Sequence, residues 1–252
     1  MIDLHSHVLP GIDDGPATME GSLEILRAAH EDGIAKIAAT PHVRDDWRTA
    51  PETMERLVAE VNGAARAAAI DVEVLPGGEL DLAYLETLTD DDLRRFGLGG
   101  NPGVLLLEFP YVGWPIGLRD LLFRLELRGF RAVIAHPERN AEVQAAPERL
   151  RELVDAGAIV QLTAASLDGR LGGRTLACAQ SLLRAQLAHL IASDAHAPGI
   201  RAVGMTAAQE AAGDAALARW LTGDVPRALL EGTPLPPRPK AARPRLPFRR
   251  RH

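Results

Sequence analysis

Short apolar runs alternate with amphipathic stretches along most of the chain. The runs at 2–5, 36–39, 72–76, 104–109, 132–135, 159–162 and 190–193 predict seven strands. Between them apolar positions recur at helical spacing over 19–32, 51–69, 118–128, 147–156, 174–186 and 207–221. Several of these stretches have a proline near the first turn or a glycine past the last, as at Gly33, Gly129 and Gly157. Regular alternation of strand and helix is the mark of a parallel α/β protein. No internal repeat is visible, and seven such units in 252 residues fit one closed or nearly closed barrel better than two domains.

Composition narrows this picture. The chain is 46% apolar and 25% charged, ordinary for a soluble globular protein, but only 4% aromatic, so the core must be built from Leu, Val, Ile and Ala. No run approaches the length of a membrane span. The opening MIDLHSHVLPG has neither the basic n-region nor the apolar h-region of a signal peptide. The single cysteine, Cys178, excludes a disulfide framework and a thiolate zinc cluster, and the expected compartment is the cytoplasm. Net charge is −6 but uneven: seven Arg or Lys and no acid follow Gly232, which leaves 21 bases against 34 acids before it. An acidic body of this kind disfavours nucleic acid, itself a dense line of negative charge, and suits the collection of cations. We therefore expect one domain over 1–231 and a disordered, proline- and arginine-rich tail over 232–252. Such a tail reads as a solvated end or as a peripheral contact with anionic lipid or an acidic partner.

The placement of histidines and acids is the strongest chemical signal. His5 and His7 follow the first expected strand as H-S-H, His42 follows the second, Glu79 the third, and Glu108 ends the fourth. His136 follows the fifth, and Asp194 and His196 follow the seventh as D-A-H; the sixth, ending in Gln161 and Thr163, contributes none. In a parallel barrel these positions open onto one face. A lone histidine at a strand end is usually just a satisfied polar residue, and an acid there is often a helix cap. Five of eight histidines at the ends of four strands are another matter. His30, His189 and His252 lie elsewhere and read as structural or surface residues. Imidazole and carboxylate without sulfur suit manganese, iron or zinc, and eight ligands suit two or three ions with a bridging carboxylate. Hydrolysis of a phosphate ester is the reaction such equipment fits best.

These residues also carry a family resemblance. His5-Ser6-His7, Thr40-Pro41-His42, Glu79, His136-Pro137-Glu138-Arg139-Asn140 and Ser193-Asp194-Ala195-His196 resemble the polymerase-and-histidinol-phosphatase (PHP) superfamily. The opening MIDLHSHVLPGIDDGP is similar to its capsule-type bacterial tyrosine phosphatases, the CpsB/YwqE type, with near-collinear spacing to about Gly232. The resemblance implies a distorted (β/α)7 barrel of PHP type, TIM-barrel-like, with a trinuclear and usually manganese (Mn2+) site. It places one ion on His5, His7, Glu79 and Asp194, a second on Glu79, Glu108 and His136, and a third on Asp14, His42 and His196. It implies phosphate-binding roles for Arg139 and Arg201, whose guanidinium forks match two phosphate oxygens. It implies as partner the phosphotyrosine tail of a bacterial tyrosine kinase governing polysaccharide export. Asp13 and Asp14 are adjacent, and the choice of Asp14 comes from the resemblance alone. The segment 43–51, VRDDWRTAP, departs from the family pattern beside the site.

Cys178 and Arg184 formally spell C-x5-R, the signature of cysteine-dependent tyrosine phosphatases. That chemistry needs a loop of free N–H groups and a depressed thiol pKa. The intervening Ala-Gln-Ser-Leu-Leu sits in a helical run, where N–H groups are already committed, so Cys178 reads as a small buried residue. The expected function is thus a metal-dependent phosphotyrosine-protein phosphatase. The rivals are a histidinol-phosphatase-like small-molecule enzyme, a nuclease, and a noncatalytic module binding a phosphorylated tail.

Overall fold

The structure, a computed structural model, describes residues 1–240. Its strands are β1 (Ile2–Ser6), β2 (Lys36–Ala39), β3 (His42–Arg44), β4 (Trp47–Arg48), β5 (Glu73–Leu75), β6 (Glu79–Asp81), β7 (Val104–Glu108), β8 (Arg131–Ala135), β9 (Ile159–Thr163) and β10 (Leu190–Ala192). Hydrogen bonding divides them into β1-β2-β5 and β10-β9-β8-β7-β6-β3-β4. All neighbours are parallel except the β3–β4 hairpin.

The two sheets make one distorted barrel of seven strand positions, because two strands are broken. β2 and β3 are the lower and upper halves of the second, β5 and β6 those of the third. Pro41 causes the first break, having no N–H to give a ladder; its carbonyl accepts from the Glu79 N–H at 3.0 Å instead. Pro76-Gly77-Gly78 causes the second. A Cβ on Gly78 would stand 2.8 Å from the Phe96 ring, so the chain passes there only as glycine. β10 closes the barrel on β1: the Asp194 N–H donates to the His5 carbonyl and the His7 N–H to the Ala195 carbonyl, both at 2.8 Å. Lower down, Asp3 Oδ1 accepts from the Ser193 N–H at 2.9 Å. The seven expected strands are thus present, while β3, β4 and β6 were not expected.

Helices cover the outside. Helix Met19–Glu31 is capped by Thr18 and turns Leu23, Ile25, Leu26 and Ala29 to the barrel; helix Pro51–Ala67 starts on its proline. The stretch expected at 147–156 is a 3-10 turn, Pro147–Leu150, running into helix Arg151–Asp155. The one expected at 207–221 is split. Gly213, at φ 78°, ends helix Met205–Ala212, and the Asp214 carboxylate caps Ala215–Arg219. A π-helical turn, Trp220–Asp224, then leads into Val225–Glu231. No helix among the described residues is long and apolar enough to cross a membrane.

The expectation of disorder from Gly232 needs correction as far as Lys240. Pro236 accepts a hydrogen bond from the Trp220 indole at 3.0 Å, and Arg238 donates to the carbonyls of Ala188 (2.7 Å) and Leu183 (3.1 Å) while covering the Trp220 ring. A tryptophan face and two backbone carbonyls at the barrel's lower rim hold this strap in place, which composition alone does not reveal. The rest of the expected tail, 241–252, lies outside the described residues.

Candidate metal centre

The upper strand ends converge on one cleft. His5 lies in β1 and His7 just beyond it; His42 opens β3, Glu79 opens β6, and Glu108 closes β7. His136 follows β8, Asp194 and His196 follow β10, and Asp14 comes from the loop after β1. Four groups have ligand atoms mutually within 4.8 Å: His7/Asp14/His42/His196, His5/Glu79/His136, His5/His7/Asp194 and His42/Glu79/Glu108. All nine expected ligands are therefore brought together. The grouping differs from the expected one: Glu108 clusters with His42 and Glu79 rather than with His136, His136 clusters with His5 and Glu79, and His7 also joins Asp14, His42 and His196.

Glu79 is the hub, with no exposed surface. Its Oε1 lies 2.8 Å from His136 Nε2, and its Oε2 lies 3.1 Å from His42 Nδ1, 3.3 Å from His7 Nε2 and 3.4 Å from His5 Nε2. Burial would raise its pKa, but His5, His136 and their neighbours hold it well below the usual carboxylate range. Burial likewise opposes ionisation of Asp194, yet Arg139 and His5 keep its pKa well below the ordinary value. Glu108 goes the other way, raised by burial and by the charge of Glu79.

The structure separates the two adjacent aspartates. Asp13 is buried; its Oδ2 accepts from His7 Nδ1 at 2.7 Å and from the His42 N–H at 3.1 Å, and its Oδ1 accepts from the Gly15 N–H. Asp14 faces the cleft, with Oδ1 3.1 Å from His196 Nε2 and 3.5 Å from His42 Nε2. Asp13 thus sits behind a candidate ligand and Asp14 among them. Partners behind a ligating imidazole orient the ring and raise its basicity. His196 is backed by the Asp194 carbonyl at 2.9 Å, while burial and nearby His7 press its pKa down to about 4, so it stands neutral.

The residues fit a cation on two observations. Glu79 Oε2, Glu108 Oε2 and His42 Nδ1 are buried, lie 3.1–3.7 Å apart across the imidazole, and make no hydrogen bond. Buried polar atoms facing one another without a hydrogen bond are costly; a cation relieves that cost and the repulsion between Glu79 and Glu108 that raises Glu108. Secondly, His136 (φ 36°) and Asp194 (φ 52°) both hold left-handed backbone conformations. Such strain, about 1–3 kcal/mol each, persists where function requires a particular side-chain direction.

Both expected phosphate arginines reach the cleft, but they also touch the cluster. Arg139 Nη2 lies 2.6 Å from Asp194 Oδ2, and Arg201 Nη1 lies 2.9 Å from Asp14 Oδ2 with Nη2 against His196. Each guanidinium thus pairs with a carboxylate of the cluster as well as facing the cleft. The cleft, about 510 Å3, is further lined by Arg44, Trp47, Tyr111, Leu171 and Thr175. Arg44 reaches Glu108 at 3.4 Å, and Tyr111 places its hydroxyl 3.4 Å from Arg139. Sequence reasoning did not assign these residues. Arg44 and Trp47 lie in the segment noted as departing from the family pattern, which was the available signal.

Cys178 lies on helix Gly173–Arg184, outside the cluster, and burial pushes its thiol up to about 12. A group so poorly ionised is no nucleophile.

Comparisons with known proteins agree with this geometry. Residues 1–216 match the family model for capsular polysaccharide synthesis, CpsB/CapC. The tyrosine-protein phosphatase YwqE of Bacillus subtilis is 38% identical over 197 residues, 78% of this chain and 77% of that one. The putative tyrosine-protein phosphatase CapC of Staphylococcus aureus is 30% identical over 199 residues, again 78% and 77%. Among solved structures, one from work on YwqE of Bacillus subtilis and CpsB of Streptococcus pneumoniae, described as unique metal-dependent tyrosine phosphatases, superposes with a TM-score of 0.86. It is 32% identical and covers 96% of this chain and 100% of its own. A probable 2-pyrone-4,6-dicarboxylic acid hydrolase of Acinetobacter baumannii, 16% identical with a TM-score of 0.53 over 92% of this chain and 98% of that one, shares the fold alone.

Proposed function

The chain belongs to the capsular polysaccharide synthesis CpsB/CapC family, and from that premise we propose that it is a metal-dependent protein-tyrosine phosphatase, a phosphoric monoester hydrolase. The observation that carries the reading is the set of buried polar atoms without hydrogen bonds on Glu79, Glu108 and His42 within a cluster of nine metal-type ligands. We assign the metal role to His5, His7, Asp14, His42, Glu79, Glu108, His136, Asp194 and His196. Manganese, in two or three ions, is the metal proposed, since an imidazole–carboxylate set suits it and zinc or iron compete for the same donors. Bound there, such ions neutralise phosphoryl oxygens and supply a water-derived nucleophile near neutral pH.

The chain's own groups do the rest. Arg139 and Arg201 flank the cleft and can exchange part of their pairing with Asp194 and Asp14 for two phosphate oxygens. Trp47, Tyr111 and Leu171 give the cleft apolar walls beside those cations, suited to the ring of a phosphotyrosine. The strained His136 and Asp194 keep their side chains aimed inward before substrate arrives. No side-chain nucleophile is required, and Cys178 is assigned none. The substrate proposed is the phosphotyrosine tail of a bacterial tyrosine kinase acting in capsule or exopolysaccharide synthesis, in the cytoplasm. The basic end, 232–252, is proposed as a peripheral contact with anionic lipid. Its removal from 241 onward should weaken binding to anionic vesicles without changing peptide hydrolysis.

The test is single-turnover assay of manganese-loaded protein on a phosphotyrosyl peptide, histidinol phosphate and a 3′-ended oligonucleotide. We expect preference for the peptide. Preference for histidinol phosphate would replace the reading with a small-molecule phosphatase, and turnover of none would leave a phospho-tail-binding module.

A further inference from the structure

We propose that Gln161 positions His5 for metal binding: its buried amide oxygen holds the imidazole as the Nδ1–H tautomer and so aims a bare Nε2 into the cluster. The inference rests on the metal reading above and assigns work to the strand that supplies no ligand.

Gln161 sits in the middle of β9 with no exposed surface. Its Oε1 lies 3.1 Å from His5 Nδ1 and 3.3 Å from the backbone nitrogen of His136. That backbone N–H can only donate, so the amide atom facing it must be the oxygen. Turning the amide over would set an NH2 group against an N–H. An oxygen cannot donate, so His5 Nδ1, facing the same atom, must carry the hydrogen. His5 Nε2 is then left with its lone pair, and it points at Asp194 Oδ1 (3.3 Å) and Glu79 Oε2 (3.4 Å).

The same arrangement recurs around the cluster. His7 is held at Nδ1 by Asp13 and His196 at Nδ1 by the Asp194 carbonyl, each leaving Nε2 toward the cleft. His5 has no exposed surface, and Gln161 is its only such partner among the described residues. Asp3 lies nearby but accepts from the His5 backbone, not the ring. The choice of amide over carboxylate also has a reason. Glu79, Glu108, Asp14 and Asp194 already gather negative charge here, and a further buried carboxylate would add desolvation cost. One neutral oxygen thus ties β1, β8 and β9 together beneath the cluster and steadies the strained His136 backbone as well.

The test has two arms. In zinc-loaded parent protein with 15N-labelled histidine, long-range proton–nitrogen spectra should show His5 with hydrogen on Nδ1. Hydrogen on Nε2 would overturn the inference, whatever any variant does. A parent that takes up no zinc would overturn the metal reading and this inference with it. In the second arm, metal content is measured against buffered free manganese. Gln161→Met, similar in size but without the acceptor, should bind about 10–100-fold more weakly. Gln161→Glu, which restores the acceptor, should recover most of that loss. Melting in chelator reports the folding cost of losing the acceptor or burying a carboxylate, and affinities are compared at a temperature where all three proteins are folded. Parent-like affinity in Gln161→Met, or no recovery in Gln161→Glu, would overturn the inference while leaving the metal reading intact.

Discussion

Glu79→Gln is the substitution with the largest consequence for its size. It changes one oxygen to NH2, keeps the shape of a fully buried side chain, and removes one charge from the centre of the cluster. The Glu79 oxygens stand 2.8–3.4 Å from nitrogens of four histidines. At about 3.3 Å and an effective dielectric near 20, a pair of unit charges is worth about 5 kcal/mol. Relaxation and water return part of that, and a retained ~3 kcal/mol corresponds to about two orders of magnitude in affinity or rate. Loss of a main electrostatic stabiliser elsewhere costs about two to three orders in rate. Metal per chain, measured at fixed free manganese by elemental analysis, should therefore fall, and hydrolysis of a phosphotyrosyl peptide should fall at least about 100-fold. Circular dichroism checks that the barrel persists. A variant with full metal content and a near-parental rate would remove Glu79 from the site and refute the reasoning.

The other predictions concern groups around the cluster. Arg139→Ala removes a charge-assisted contact and should lower kcat/KM for the peptide about 10–150-fold. Metal content should change far less, because Asp194 keeps His5 and His7 within 3.4 Å; a parallel fall in metal would make Arg139 chiefly a support for Asp194. Cys178, its thiol raised from 9.0 to about 12 by burial, should react with iodoacetamide at pH 8 about 1,000-fold more slowly in native than in unfolded protein, with activity intact. Rapid alkylation that kills activity while metals stay bound would revive the cysteine mechanism. His189, its pKa lowered from 6.5 to about 4 by burial and by Arg238, favours the neutral ring in the folded state. Its contribution is therefore full above pH 6.5 and lost as pH falls to 4, about 3 kcal/mol in all. His189→Asn, which can still accept from the Val160 N–H, should lose correspondingly less in acid unfolding; parallel curves would disprove this.

The barrel was legible because its seven apolar runs are buried strands whose spacing leaves room for one helix each. The halves β3 and β6 were not, since three residues after Pro41 or Gly78 carry too little pattern to register as strands. The cluster was legible because imidazole and carboxylate at strand ends have no packing reason to recur. What escaped was partnership. Gln161 was passed over as a strand that contributes nothing, although a polar residue inside IVQLT is itself a signal that something inside the barrel needs it. Asp13 and Asp14 could not be told apart on the chain, because only the turn at Gly15, hydrogen-bonded to Asp13, sends one carboxylate behind His7 and the other into the cleft. The segment 43–51 escaped because a hairpin of two- and three-residue strands holds Arg44 and Trp47 at the cleft by tertiary contact rather than by local pattern.

The central claim, that this cluster hydrolyses phosphotyrosine through bound metal, is tested most directly by stripping and reloading. Protein dialysed against chelator until elemental analysis finds no transition metal should not release phosphate from a phosphotyrosyl peptide. Manganese added back should restore activity in step with the uptake of two or three ions per chain. Undiminished hydrolysis by the metal-free protein would contradict the account.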